Sequence, residues 1–323
     1  MRKLGAAPLL GGAALLVALM IGGALAWRHH AQAPAPVAEP LIEPAAAAAP
    51  VVQAGPSQIA AFTADQLQAE LSNNGDWQVH RLAGNPAVLV IEFPTLAAQG
   101  EALNRAAALI EKKGGSRSAV LSDTQLQALI RSAGDSAATF YYGHDYTAAD
   151  LARFYSLAQG QGTPLNTAEL RLRQLLQDAG LLSASPGAPA TGWRGADPGA
   201  LVSFPAVQGN DPRTPRDESV DPARRASVMR HELSHGRYFT DRAYREHCAF
   251  FWRSLLREDE RELWRRYLAS QGYDRGNEDL MINETQALLM HTPDKRDFNA
   301  AELRLGDAEL EGLRDRFKLG WGG

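Results

Sequence analysis

The sequence has one cysteine, Cys248, so it cannot form an internal disulfide. It also has no excess of basic residues. Its 33 Lys and Arg and 37 Asp and Glu give a net charge of −4, which does not indicate the positively charged surface of a nucleic-acid-binding protein. We therefore expect no nucleic-acid partner. Cys248 lies close to Phe250, Phe251 and Trp252, and this apolar setting favours a buried, unreactive thiol over a nucleophile.

The longest uncharged run lies near the amino terminus, between two basic flanks. Residues 4–27 are long enough to cross a bilayer core of about 30 Å as a helix. We interpret them as a transmembrane signal anchor, with residues 1–3 as the cytoplasmic end. Residues 24–26 (Ala-Leu-Ala) resemble a cleavage site, so a secreted protein is the alternative. Either way, we expect a membrane or secretory segment and a folded part outside the cytoplasm, in the periplasm or at the extracellular face.

The rest of the chain divides by composition into a linker and two lobes. Residues 28–57 are rich in Ala and Pro and are typical of an extended linker. Residues 58–185 alternate between helix and strand patterns, which predicts an α/β lobe with a small mixed sheet. Residues 186–323 begin with a stretch rich in Gly and Pro and continue with almost entirely helical patterns. The sequence therefore predicts an α+β fold with a helical carboxyl-terminal lobe.

Local signals predict where several elements begin. Side chains suited to capping a helix precede apolar periodic segments. These predicted N-caps are Thr63, Ser122, Thr147, Asp221 and Asn277. Short apolar runs predict strands at residues 86–93, 118–121 and 139–142, and residues 200–207 can add another strand to the sheet.

His231, Glu232 and His235 carry the residue types of a catalytic metal site. The two histidines are four residues apart, so on a helix they project from the same face. Two imidazoles at that spacing can bind one zinc ion at about 2.0–2.1 Å. Glu232 lies beside them, where it can take a proton from a water that attacks a carbonyl. This H-E-x-x-H pattern predicts a zinc hydrolase centre with Glu232 as general base.

The residues around this pattern favour a helix. Asp221 is a good N-cap, and Pro222 suits the first helical position. Gly236 directly follows the second histidine and is expected to let the helix end there.

A catalytic zinc site takes a third protein ligand and keeps one position open. Glu284 is the best candidate, since Asn277 can cap a second helix that carries it. Asp241 is the alternative, and His247 and His291 are weaker candidates. Asp241 also suits the N-cap of the following helix, and a single helical histidine is more often structural.

His231 to His235, together with the segment Asn283-Glu284-x-x-Ala287, resembles the gluzincin class of zinc metallopeptidases. The resemblance covers residues 220–292. It implies a zincin-like fold in which residues 186–323 form the metallopeptidase lobe. It also implies that zinc is held by His231, His235 and Glu284, with a peptide or protein as substrate. Members of the class often carry an Asp three or four residues after the ligand glutamate, and this chain has Ala287 and Leu288 there.

The sequence thus predicts a membrane-tethered, exported zinc peptidase. The alternatives are a scaffold with a structural or vestigial zinc site and a zinc amidase that acts on cell-wall material. Residues 141–146 (Tyr-Tyr-Gly-His-Asp-Tyr) are unusual for a surface turn and either line a cleft or end a buried strand. The candidates for stabilising an oxyanion are Arg237, Tyr238, Tyr244, His247 and Tyr273.

Overall fold

The structure is a computed structural model that describes residues 59–71, 75–112, 115–185, 192–214 and 216–321. These residues fall in one compact unit, Ala54–Gly323. As predicted, the architecture is α+β, with helices packed around a mixed sheet.

The main sheet has five strands in the order β1-β2-β3-β7-β4. The bounds are β1 Ala61–Phe62, β2 Gln78–Leu82, β3 Asn85–Phe93, β4 His144–Thr147 and β7 Ala200–Pro205. Strands β3 and β7 run parallel in the centre, and the pairs β2–β3 and β7–β4 are antiparallel. A separate antiparallel pair is formed by β5 Leu182–Ala184 and β6 Trp193–Gly195. Strands β3 and β7 consist mostly of apolar residues, as expected for central parallel strands that are covered on both faces.

Ten α-helices surround the sheet in the described part of the chain. The first five are α1 Ala64–Ala69, α2 Leu96–Ile110, α3 Asp123–Ser132, α4 Ala148–Gln161 and α5 Thr167–Asp178. The next five are α6 Pro222–Thr240, α7 Arg242–Phe250, α8 Glu258–Ser270, α9 Glu278–His291 and α10 Asp307–Lys318. All five predicted N-caps accept a hydrogen bond from the first turn of their helix.

The predicted strands had mixed outcomes. The apolar runs at residues 86–93 and 200–207 are confirmed as β3 and β7. The predictions at residues 118–121 and 139–142 were wrong, because both segments are turns and loops. The edge strand begins two residues later, at His144, where the chain pairs with β7.

Helix α6 lies against the face of the central strands. At Gly236 an added Cβ would lie 2.9 Å from Val88 Cγ1 and 3.2 Å from Val202 Cγ1, so glycine permits the close approach. A buried ion pair also joins α6 to β3: Arg225 Nε lies 2.7 Å from Glu92 Oε1. These contacts fix the distance and the rotation of α6 over the sheet.

The predicted membrane anchor is corrected. No helix in the described ranges is both long enough and apolar enough to cross a membrane. The longest described helix, α6, has 19 residues but carries several arginines. The proposed anchor, residues 4–27, and the whole of the linker, residues 28–57, lie outside the described residues. The predictions of a membrane partner and of a membrane-anchored, exported location are corrected on the same finding.

The boundary between lobes near residue 185 stays a prediction. Strand β7 follows that boundary in the sequence yet lies in the sheet between β3 and β4.

Candidate metal centre

Helix α6 presents the two histidines. The Asp221 side chain accepts a hydrogen bond from Arg224 N at 2.8 Å, and Pro222 occupies the first turn. The prediction that the helix ends at Gly236 was wrong, because α6 continues to Thr240. Gly236 serves the contact with the sheet instead. His231 and His235 therefore lie inside a continuous helix with one more turn after them.

Helix α9 brings Glu284 to the same place. His235 Nε2 lies 3.0 Å from His231 Nε2. Glu284 Oε2 lies 3.8 Å from His231 Nε2 and 4.0 Å from His235 Nε2. The nearest point equidistant from three atoms with these separations lies about 2.1 Å from each, which matches the ligand distances of protein zinc sites. The three side chains thus have the spacing of a single metal site.

Hydrogen bonds on the far side of each ring fix which nitrogen carries the proton. His235 Nδ1 lies 2.9 Å from Asn283 Oδ1, an oxygen that can only accept. His231 Nδ1 lies 2.8 Å from the Thr292 hydroxyl, which donates its own proton to the Ala287 carbonyl. Both Nδ1 atoms therefore donate, and both Nε2 atoms turn a lone pair toward the shared point.

Two lone pairs facing each other at 3.0 Å repel unless a proton or a cation lies between them. A proton is disfavoured, since burial first and then the charge of His235 hold the pKa of His231 well below its usual range. The donor set of two imidazoles and a carboxylate suits zinc. The described residues therefore fit a metal ion.

Thr292 accepts from His231 Nδ1 and Asn283 accepts from His235 Nδ1, so these two residues orient the rings. Ala287 contributes its backbone carbonyl to this arrangement, and Leu288 is buried beside it. A hydroxyl and an amide are neutral, so they orient the rings without adding charge.

Glu232 lies next to the candidate metal ligands His231, His235 and Glu284 but is not one of the three. It is 5% exposed, and its Oε2 has no hydrogen-bond partner in the described structure. One of its oxygens lies within 4.8 Å of ligating atoms of His235 and Asp145. A Cβ at Gly143 would overlap the Glu232 carboxylate, so this glycine makes room for it. Burial, and then the charges of Asp145 and Glu284, raise the pKa of Glu232 well above its usual range.

Two further carboxylates adjoin the centre, and sequence reasoning missed both. Asp145, on β4, accepts a hydrogen bond from Asn283 Nδ2 at 3.4 Å. Glu111, at the end of α2, places an oxygen within 4.8 Å of oxygens of Asp145 and Glu284. The unusual segment 141–146 was the only signal for Asp145. Glu111 gave none, because its position depends on how α2 packs.

The alternative third ligands lie elsewhere. Asp241 caps α7 by accepting from Tyr244 N at 3.1 Å, and it pairs with Arg237. His247 Nε2 lies 2.7 Å from the Phe317 carbonyl oxygen, among aromatic rings. Neither residue belongs to a group of possible metal ligands in the described ranges.

Among the oxyanion candidates, Tyr273 lies beside the centre. Burial raises the pKa of Glu284 to about 8, and His235 and the Tyr273 hydroxyl oppose this shift. Tyr238 instead donates to Asp279, and Tyr244 to Gln286, each at 2.7 Å. Cys248 is buried as predicted, and burial raises the pKa of its thiol to about 12.

Two adjoining clefts open onto the centre. The larger, of about 780 Å³, is lined by His231 and Glu284, and the smaller, of about 420 Å³, by His231 and Glu232. Tyr141 and Tyr273 line both, so the segment 141–146 does line a cleft. Cavities of this size accommodate small ligands and short peptides.

Comparisons with models of protein families, with curated proteins and with solved structures each find no match to this chain. The arrangement of His231, Glu232, His235 and Glu284 therefore carries the functional argument alone.

Proposed function

We propose that this chain is a zinc-dependent hydrolase that cleaves peptide bonds. His231, His235 and Glu284 hold the metal, and Glu232 is the general base. One observation carries the proposal. The Nε2 atoms of His231 and His235 lie 3.0 Å apart with their lone pairs facing each other, and Glu284 Oε2 lies 3.8 Å from His231 Nε2 as the third donor. The packing of α6 on a mixed sheet and of α9 on α6 is consistent with the zincin-like fold of the gluzincin class, and we propose that relationship too.

Zinc bound there supplies a Lewis acid that polarises a substrate carbonyl and makes water more acidic. Glu232 takes the proton of the attacking water and returns it to the leaving amine. Burial and the charges of Asp145 and Glu284 raise the pKa of Glu232, so its carboxylate accepts a proton more readily than an exposed one does.

A catalytic role is favoured over a structural one by two observations. Structural zinc sites are usually closed by four protein ligands, whereas the described triangle has three members. Glu232 keeps a buried oxygen without a partner, which a structural site does not need. A non-peptide amide substrate would use the same chemistry and is distinguished by the choice of substrates.

The test compares Glu232→Gln with the wild type in the zinc-loaded, full-length protein. A panel of internally quenched peptides and cell-wall amides serves as substrate. We expect kcat to fall about 10²- to 10⁴-fold while zinc content is unchanged, because only the base is lost. Glu246→Gln, which breaks an exposed ion pair with Arg242, is the control and should retain full activity. Equal rates for Glu232→Gln and the wild type would contradict the mechanism.

A further inference from the structure

The larger cleft contains a second chemical feature besides the metal ligands. Lys112 lines it together with His231 and Glu284. This lysine is only 9% exposed. In the part of the chain that the structure describes, its Nζ makes no hydrogen bond and has no carboxylate oxygen within 4.0 Å. Buried ammonium groups are ordinarily paired, so an unpaired one facing a cavity requires an explanation.

Aromatic rings hold the ammonium in place. Lys112 Nζ lies 4.5 Å from the ring centroid of Phe140 and 4.9 Å from that of Tyr141. The negative faces of these rings attract the cation without satisfying its three N–H donors. At Gly272 an added Cβ would lie 3.3 Å from the same Nζ, so the glycine leaves space around it. The charge is thus fixed in position, and its donors remain available.

The nearest acidic groups are engaged elsewhere. Asp135 pairs with Arg216 Nη1 at 3.1 Å. Glu111 accepts a hydrogen bond from the Tyr146 hydroxyl at 2.9 Å and belongs to the carboxylates around the metal centre. Burial lowers the pKa of Lys112, and the charges of Asp135 and Glu111 oppose this shift. An anion that enters from the cleft would gain a desolvated, oriented partner.

Two residues next to Lys112, Tyr273 and Glu111, lie at the metal centre. The Lys112 backbone pairs with that of Tyr273 in an isolated antiparallel bridge, and Tyr273 lines the same cleft as Glu284. Its neighbour Glu111 places an oxygen within 4.8 Å of Glu284. A ligand held by Lys112 therefore has a fixed position relative to the proposed metal.

We propose that Lys112 binds a carboxylate of the substrate, so that the centre selects peptides with a carboxylate near the bond to be cleaved. This inference rests on the proposed function for the identity of the substrate. The carboxylate can belong to a free carboxyl terminus or to an Asp or Glu side chain. Both have the same charge and geometry, and Lys112 supplies a point charge that suits either.

The test measures binding to the zinc-loaded, full-length protein by calorimetry. The probes are an N-acetylated tripeptide with a free carboxyl terminus, its carboxamide, and two carboxamides that differ only by Glu or Gln. We expect the wild type to bind one of the carboxylate forms about 10- to 100-fold more tightly than its neutral counterpart. Lys112→Met, which keeps the apolar stem, should lose this preference. Lys112→Arg should keep it to within several-fold.

Lys318→Met is the matched control, because Lys318 is an exposed lysine of α10, paired with Asp315, and does not line the cleft. It should bind every probe as the wild type does. The pair of probes that shows the preference identifies the source of the carboxylate. Equal binding of acid and neutral probes by the wild type overturns the proposal, as does a preference that survives in Lys112→Met. A preference that depends on Lys112, in a protein that hydrolyses none of the peptides, supports the carboxylate site and contradicts the proposed function.

Discussion

At the scale of single residues, the centre depends on groups that do not touch the proposed metal. The Asn283 side-chain oxygen accepts from His235 Nδ1, while the Asn283 amide donates to Asp145. One side chain thus fixes both the tautomer of a ligand and the position of a neighbouring carboxylate. Partners of this kind orient the ligand ring and raise its basicity.

Asn283→Ala should therefore weaken zinc binding about 10- to 100-fold without removing any ligand. Competition with a zinc indicator measures this affinity. Asn299→Ala is the control, because it removes a side-chain oxygen that accepts a hydrogen bond from Ala301 N but lies outside the metal centre. Unchanged affinity in Asn283→Ala would show that the His235 ring is oriented by other contacts.

At the scale of elements, the approach of α6 to the sheet decides where the histidines stand. Gly236 directly follows His235 and faces the two central valines, Val88 and Val202. Adding even a methyl group there forces the helix and the sheet apart, and overpacking of this kind costs about 1–3 kcal/mol.

Gly236→Ala should accordingly lower the free energy of unfolding by about 1–3 kcal/mol and weaken zinc binding, because His235 moves with the helix. Gly160→Ala offers a matched control. Gly160 lies in α4 with nothing within 4 Å of an added Cβ, so alanine there should stabilise the protein by about 0.5–1 kcal/mol through helix propensity. Urea titrations of the wild type, Gly236→Ala and Gly160→Ala measure the three free energies of unfolding. Equal losses at the two positions would refute the packing argument.

The difference between local contacts and contacts between distant residues explains how much of the fold and the site could be predicted from the sequence. Helix starts such as those at Asp221 and Asn277 depend on a hydrogen bond within four residues, so the sequence contains them. The spacing of His231 and His235 is equally local. The end of α6 and the edge strand β4 depend on contacts with distant strands, and local patterns misplaced both.

The carboxylates around the centre show the limit more sharply. Glu111 and Asp145 are 34 residues apart in the sequence and meet because the end of α2 and the start of β4 lie close to Glu284 of α9. Lys112 has the same origin. Nothing in its immediate sequence distinguishes it from a surface lysine, and only its packing against Phe140 and Tyr141 reveals the buried charge.

At the scale of the whole molecule, stability should depend on pH through His144. Its Nδ1 lies 2.9 Å from the Tyr146 hydroxyl, and its buried Nε2 has no partner in the described structure. Burial lowers the pKa of His144 to about 3. The unfolded chain binds this proton near pH 6.5, so the stabilisation is complete above that pH. It is lost progressively as the pH falls toward 3.

Between pH 7.5 and 5 this one group should cost about 2 kcal/mol of stability. His144→Gln removes the titration, so the free energy of unfolding should change less with pH in the variant than in the wild type. Urea titrations at pH 7.5, 6 and 5 compare the two dependences. If the free energy of unfolding changes with pH equally in both proteins, the assignment of this pH dependence to His144 is contradicted.

Zinc stoichiometry tests the central claim most directly. The full-length protein is stripped with a chelator, reloaded with zinc, dialysed and measured by mass spectrometry of the metal. We predict one zinc per chain in the wild type and in Glu232→Gln, and none in the double variant His231→Ala/His235→Ala or in Glu284→Ala. Replacing the alternative ligand His247 by Ala should leave the zinc in place. A wild type without stoichiometric zinc, or zinc retained after both histidines are removed, would contradict the account.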